Sequence, residues 1–363
     1  MPKLRVGVLF GGRSVEHDVS LVSARAIMAA LDPARYDVIP LAITKAGAWL
    51  PPAQAQRLLA AEPLEPGAGI TAVATVGDSA STPLGAVDVV FPVVHGTMGE
   101  DGTVQGLLEL ADVPYVGAGV LGSALGMDKA MMKVVFQASG LPVAPYLTVS
   151  RHDWQSDAAA MACRIGSELG YPCFVKPSNG GSSVGISKVH HAGELAAAMD
   201  LALHLDRRAV VEQAILAREL ECAVLGNDEP QASVVGEILP AREFYDYEAK
   251  YFDDRTQLRI PADIPAAVAE RVRALAVQAF VALDCAGMAR VDFFLSKDDG
   301  PLFINEINTI PGFTPTSMYP RMWQASGLSY AALVDRLVEL ALERFAEKQQ
   351  TAFTYPALPE REG

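Results

Sequence analysis

Cysteine is scarce in this chain, with only Cys163, Cys173, Cys222 and Cys285 among 363 residues. None stands in a CxxC pair, which excludes a zinc knuckle and a dithiol redox motif. The thiols read as small buried side chains in a reduced compartment. The six histidines show neither HxH nor HExxH spacing. Long apolar runs are missing too, since no segment approaches the roughly 18 uninterrupted residues of a membrane span. The opening MPKLRVGVLFGG lacks the basic, apolar and small-residue zones of a signal peptide. Basic charge is also in deficit, with a formal net charge of −14. That excludes nucleic acid, whose binding needs a concentrated basic face. It does not exclude a nucleotide, because a phosphate site needs only a few local cations and backbone N–H groups. A soluble cytoplasmic protein is expected, with neither nucleic acid nor membrane as partner.

What is present is a globular profile, 50% apolar and 20% charged, long enough for two or three domains. The N-terminal part alternates strand and helix. LRVGVLFG ends in Gly11-Gly12, HDVSLVSARAIMAAL carries helical periodicity, and YDVIPLAIT and AVDVVFPVVHG read as further strands. Such alternation predicts a parallel sheet with ligands at the carboxyl ends of its strands. Residues 61–85, rich in Pro, Gly, Ser and Thr, read as loop, and Gly117–Gly126 as a hinge. A second unit is expected over 127–221 and a third over 222–363, after an N-terminal unit of 1–126. The third holds a long polar loop, Arg242–Arg259, then a helix, two strands and a terminal helix.

The sharpest chemical signal is Arg290-Val-Asp292 followed by Asn305-Glu306-Ile307-Asn308. Strand alternation lets Asp292, Glu306 and Asn308 face one way, supplying oxygen ligands suited to magnesium or manganese held with nucleotide phosphates. The alternative is a pair of strand ends whose acids face solvent, with Arg290 a plain ion-pair partner. A second signal is Lys176-Pro-Ser-Asn-Gly-Gly-Ser-Ser-Val-Gly185. Its lysine precedes the glycines, so it is no P-loop, yet its backbone can approach phosphates. An ordinary hairpin accounts for it equally well. Glu212 and Glu219 lie seven residues apart around a turn, where a solvated face is the simpler reading. In His95-Gly-Thr-Met-Gly-Glu-Asp-Gly102 the acids can cap the following helix, and His95 can be a turn histidine or a ligand group. The first strand–helix turn, Gly11-Gly-Arg-Ser-Val-Glu16, lacks GxGxxG, and YDVIPLAIT ends without an acid, so a dinucleotide fold fails twice.

Taken together and in order, these segments resemble the D-alanine–D-alanine ligase branch of the ATP-grasp superfamily, from Gly7 to about Tyr319. HGTMGEDGTVQG and ARVDFF…FINEINTIPGFT carry the likeness most specifically. The resemblance implies an α/β fold, α+β in its grasp domains, with an N-terminal parallel-sheet domain followed by a two-domain ATP-grasp fold. It implies ATP as substrate, two magnesium ions or manganese, D-alanine, and a homodimer. Lys129 and Lys176 then resemble the phosphate-contacting lysines, and Lys250 the one that reaches the γ-phosphate. Glu212 and Glu219 resemble the adenine and ribose contacts, with backbone from Gln213 to Ile215 on the base. Asp292, Glu306 and Asn308 correspond to metal ligands. Glu16 resembles the residue that receives the first substrate's ammonium, with His95 near its carboxylate. By the same resemblance, Ser317 and Met318 would meet the second substrate's carboxylate. Glu16, Ser182 and Tyr251 resemble the trio that ties the lid loops, and Arg290 and the Gly312 backbone resemble the oxyanion stabilisers. Tyr247-Glu-Ala-Lys-Tyr251 matches the dipeptide-forming type rather than the D-lactate type. A sensor that had lost catalysis would have lost metal ligands that this chain keeps.

Overall fold

The structure is a computed structural model, and it describes residues 2–65, 67, 69, 83–181, 183–239, 257–297 and 300–352. The chain begins β1 (Leu4–Gly11), α1 (His17–Ala30), β2 (Tyr36–Ile43), β3 (Trp49–Leu50), α2 (Pro52–Leu59) and β4 (Val89–Pro92). These strands form a sheet in the order β3-β2-β1-β4, with β1 parallel to both β2 and β4. The expected parallel core is present, and the short edge strand β3 runs antiparallel to β2. Apolar runs fit such a sheet because helices cover its faces. Val6, Val8, Leu9 and Phe10 on β1 are wholly buried.

Helices α3 (Thr103–Leu110), α4 (Val120–Met127) and α5 (Lys129–Ala138) follow. The segment Gly117–Gly126 was expected as a hinge, but most of it is helix α4. A Cβ on Gly122 would lie 2.7 Å from the carbonyl oxygen of Asp284, so this glycine serves close packing. Asp128 caps α5 by accepting from the Met131 N–H, and its carboxylate is paired with Arg208.

The second sheet comprises β5 (Tyr146–Ser150), β6 (Cys173–Pro177), β7 (Ser187–Val189) and β8 (Arg208–Gln213), antiparallel in the order β5-β8-β6-β7. Helices α6 (Arg151–Ser156), α7 (Ala158–Glu168) and α8 (Ala192–Leu205) accompany it, and Ile165, Met199 and Ala202 join its core.

The third sheet has the order β11-β10-β9-β12-β13, all antiparallel: β9 (Ala217–Gly226), β10 (Gln231–Leu239), β11 (Gln257–Arg259), β12 (Gly287–Ser296) and β13 (Leu302–Asn308). One strand, β9, runs through positions 221 and 222, where the second and third units were expected to meet. Helix α9 (Ala266–Ala282) packs beneath this sheet through Val272, Ala276, Ala279 and Phe280. Helices α10 (Met318–Ala325) and α11 (Tyr330–Lys348) return the chain to the first unit. There Phe313 meets Phe91 edge-on at 5.7 Å, which fixes the loop after β13 against the first sheet.

From Ala289 to the end of β12 burial alternates: Val291, Phe293 and Leu295 point into the core while Arg290, Asp292 and Phe294 emerge on the opposite face. That emerging face looks toward the second sheet and the ends of β1 and β4. Among the described residues no helix is long and apolar enough to cross a membrane, and the four cysteines are free.

Candidate functional site

Two cavities open on the outer face of the third sheet. One, of about 510 Å³, lies between the second and third sheets and is lined by Lys176, Glu212, Gln213, Ile215, Glu219 and Asp292 among others. The other, of about 410 Å³, lies toward the first sheet and includes Glu16, His95, Lys129, Arg290, Asn308 and Gly312. Ser317 and Met318 also line this second cavity. The two share Glu221, Ile238 and Glu306 as a common wall.

The wall is built by sheet register. Asp292 stands opposite Glu306 on β13 and opposite Glu221 on β9, and Arg290 stands opposite Asn308. Residues opposite in an antiparallel pair, and residues two apart on a strand, share a face. All five polar side chains therefore project from one patch of sheet. Arg290 binds Asp292 through Nε and Nη2, each at 2.7 Å, and its Nε lies 3.2 Å from Glu221. Burial works against the guanidinium's charge, but the Asp292 and Glu221 carboxylates outweigh it and hold Arg290 well above the ordinary arginine range. A bulge between Asp292 and Phe293 leaves Asn305 extra on β13. Asn305 and Glu306, though adjacent, thus both serve the cleft, because a bulge breaks the two-residue alternation.

Lysines approach from the other side. Lys129 Nζ lies 3.3 Å from Glu306 and donates to the Gly180 carbonyl at 2.8 Å, which ties the glycine loop to the wall. Lys176 Nζ, delivered by β6, is 3.0 Å from Glu212 Oε2 and 3.3 Å from Asn305 Oδ1. Glu212 is buried, which removes the solvated-face alternative for it. Burial opposes its ionisation, but Lys133 and Lys176 outweigh that and lower its pKa. Glu219, two residues from Glu221 on β9, lines the inter-sheet cavity.

At the other cavity Glu16 precedes α1 and is buried, its carboxylate beside the backbone of Gly96 and Gly181. His95 is buried after β4. Its Nδ1 lies 3.4 Å from Glu100 and 3.1 Å from the Ile310 carbonyl, and its Nε2 lies 3.4 Å from Ser23 Oγ. The helix-capping alternative belongs to the neighbouring acid: Asp101 accepts from the N–H groups of Met98 and Thr103, while Glu100 pairs with His95. Gly312 sits 3.2 Å, from its Cβ position, from Ser317 Oγ. Ser317 is the residue before α10, its hydroxyl 2.8 Å from Thr314 Oγ1. The Met318 side chain turns inward against Gly236. Only its backbone can serve a ligand, at a helix N-terminus that favours anions. Ser182, Lys250 and Tyr251, and most of the Arg242–Arg259 loop, lie outside the described residues.

Four participants carry no role in the sequence reading. Lys133 falls one helical turn after Lys129, so its placement on the same face was available from spacing. Glu221 alternates with Glu219, another available signal. Glu100 is one of two acids that the motif alone does not separate. Asn305 had no signal, because only the bulge brings it in. For a metal, the donors Asp292, Glu306 and Asn308 are all oxygen, which suits a hard divalent cation. Among the described residues no group of three His, Cys, Asp or Glu side chains is arranged to hold an ion. Asn308 and ligand phosphates would have to complete any such shell.

Nucleotide-sized space gripped by two antiparallel sheets, with Lys176 from one and Lys129 from α5 brought against the acidic row of the other, defines an ATP-grasp enzyme. Two family models match, described as D-ala D-ala ligase N-terminus over residues 5–118 and D-ala D-ala ligase C-terminus over residues 135–339. The chain belongs to the D-alanine–D-alanine ligase family. It is 51% identical to the D-alanine–D-alanine ligase of Geobacillus kaustophilus, over 97% of this chain and 98% of that one. It is 52% identical to that of Deinococcus radiodurans, over 94% and 99%. Among solved structures, the D-alanine–D-alanine ligase from Coxiella burnetii matches with TM-score 0.83 and 39% identity, covering 96% of this chain and 97% of that one. A D-Ala:D-Ser ligase from Enterococcus faecalis matches with TM-score 0.83 and 37% identity, covering 94% and 100%.

Proposed function

We propose that this enzyme joins two molecules of D-alanine into D-alanyl-D-alanine for peptidoglycan, converting ATP to ADP and phosphate through a D-alanyl phosphate. The observation that carries the reading is the shared wall of Glu221, Ile238 and Glu306. A nucleotide in the inter-sheet cavity and an amino acid in the other would meet over Glu306, where a phosphoryl group must cross.

In the inter-sheet cavity, Glu212 and the backbone from Gln213 to Ile215 would receive the base and Glu219 the ribose. Lys129, Lys176 and Lys250 would neutralise phosphate oxygens. Asp292, Glu306 and Asn308 would hold two magnesium ions, or manganese, whose charge offsets that of the transferring phosphoryl group. In the other cavity, Glu16 would accept the first D-alanine's ammonium, with His95 beside its carboxylate. That carboxylate oxygen attacks the γ-phosphorus as the bond to ADP breaks. The second D-alanine, its carboxylate held by Ser317 and the Met318 N–H, then attacks the acyl carbon through its neutral amine. The carbon–oxygen bond to phosphate breaks, and the amine loses its proton. Arg290 and the Gly312 N–H face the developing oxyanion; such donors are worth roughly 3–4 kcal/mol each. Glu16, Ser182 and Tyr251 would tie the lid loops and exclude water from the acyl phosphate. We place the reaction in the cytoplasm, with the enzyme a homodimer.

The test is phosphate release from ATP with a divalent cation and D-alanine as sole amino acid, products identified by mass. D-alanyl-D-alanine with one phosphate per dipeptide is expected. Phosphate release only when D-lactate or D-serine is added would move the acceptor assignment and leave the nucleotide reading intact.

A further inference from the structure

Lys133 takes no part in the chemistry above, yet it is a charge with no solvent exposure, set against the Glu212 that lines the nucleotide cavity. Its ammonium lies 3.2 Å from Glu212 Oε1 and 3.4 Å from the Asn305 carbonyl oxygen, with the Tyr146 ring centroid 5.7 Å away. Lys176 grips the same two residues from the other side, at Glu212 Oε2 and Asn305 Oδ1. Glu212 is thus fixed between two cations, one from α5 and one from β6, and both cations are anchored to the bulge of β13. A methionine would fill nearly the same volume without desolvating a charge, a cost that buried ion pairs often fail to recover. The charge therefore has a use, and the group it acts on is Glu212, which lines the cavity.

We infer that Lys133 is a positioning residue that orients Glu212 as a pure hydrogen-bond acceptor, making the cavity selective for a purine carrying a 6-amino donor. The inference rests on the nucleotide reading of this cavity. An ionised carboxylate has acceptor sites and no donor. It pairs with an exocyclic amine and is left facing another acceptor when position 6 carries an oxygen, as in inosine. Sites built around a buried polar partner discriminate strongly against the analogue that cannot complete the bond. Without Lys133, one carboxylate oxygen loses its cation and the side chain is free to rotate or take up a proton. A protonated acid can donate to a 6-oxo group, so discrimination falls from both sides.

The experiment compares kcat/KM for ATP and inosine triphosphate, with D-alanine saturating, in the full-length enzyme. For Lys133→Met the preference for ATP should fall at least about tenfold, the scale of one charge-assisted hydrogen bond, and chiefly through KM for ATP. Lys133→Arg, which keeps the charge, should retain most of the preference. In a Glu212→Gln background, Lys133→Met should leave the ratio unchanged, because the group it acts through is gone. A folded Lys133→Met enzyme with the wild-type ratio overturns the inference, since a merely structural lysine would lower activity with both nucleotides alike. If Lys133→Met does not fold, Glu212→Gln decides alone: an unaltered ratio there overturns it equally. Wild-type enzyme that releases no phosphate from ATP would instead remove the nucleotide reading, a result distinct from either.

Discussion

Asp292 and Glu306 stand opposite each other across β12 and β13, and each is already matched to a cation, Arg290 at 2.7 Å and Lys129 at 3.3 Å. Like charges opposite on a sheet repel, and Glu221 adds a third acid in the same row. Arg290 and Lys129 leave the row one positive charge short of neutral. The sheet thus carries a strained charge pattern at the one place where both cavities meet, as expected where function rather than stability sets the sequence.

Replacing Asp292 by Ala should therefore separate folding from chemistry. The substitution removes both bonds to Arg290 but leaves Glu221 as a partner. We expect a folded protein whose phosphate release falls below about one-hundredth of wild type, the scale of losing one preorganised electrostatic group. Calorimetry should show weaker divalent-cation binding alongside. Turnover close to wild type would remove Asp292 from the metal set.

Much of this arrangement was legible beforehand, and the reasons differ by element. RVDFF and FINEIN announce their outward acids because strand alternation has a fixed period of two, and the RVDFF stretch of β12 obeys it. Asn305 was illegible because a bulge breaks that period only once the partner strand is known. Gly117–Gly126 misled for another reason. Glycine marks both flexible turns and close backbone approach, and only the packed carbonyl of Asp284 shows which applies at Gly122. The charge state around Glu212 was hidden because its cations arrive from α5 and β6, far away in sequence. His95 and Glu100 were legible as a motif, but not the division of labour between Glu100 and Asp101.

Gly122 offers a direct check on that distinction. Alanine there would set its Cβ 2.7 Å from the Asp284 oxygen and 3.1 Å from that of Leu283, both backbone atoms that cannot swing aside. Overpacking of this kind costs about 1–3 kcal/mol. Gly122→Ala should lower the midpoint of denaturant unfolding accordingly. A hinge glycine would instead leave stability nearly unchanged and slow turnover.

Gly181 should behave in the opposite way. An added Cβ would lie 3.0 Å from Glu16 Oε2, the end of a side chain that can move, and no left-handed backbone angle is required there. Gly181→Ala should therefore keep the thermal midpoint and displace Glu16. We expect KM for the first D-alanine to rise several-fold, by roughly 1 kcal/mol of lost interaction, with less change in KM for ATP. Equal changes in both constants would mean that the loop as a whole had shifted.

The His95–Glu100 pair predicts a pH dependence of stability. Burial opposes a charged imidazole, but the bond and charge of Glu100, with Glu16 adding, outweigh it and raise the His95 pKa above its ordinary value. Burial also raises Glu100 against the pull of His95. A histidine raised in the folded state contributes stability that is complete below its unfolded value, near 6.5, and is lost as pH rises through the folded value. A raised carboxyl acts in the same sense from its own unfolded value upward. The lowered carboxyls, Asp88, Glu109, Asp153, Glu194 and Glu212, have the opposite sign, but they titrate at and below their unfolded values of about 4, outside this interval. Between pH 6 and 8.5 the pair should make the wild-type melting temperature decline. The double variant His95→Gln, Glu100→Gln removes both titrating groups without stranding either one. Its melting temperature should decline less over the same interval, and equal slopes would show that neither group changes its charge there.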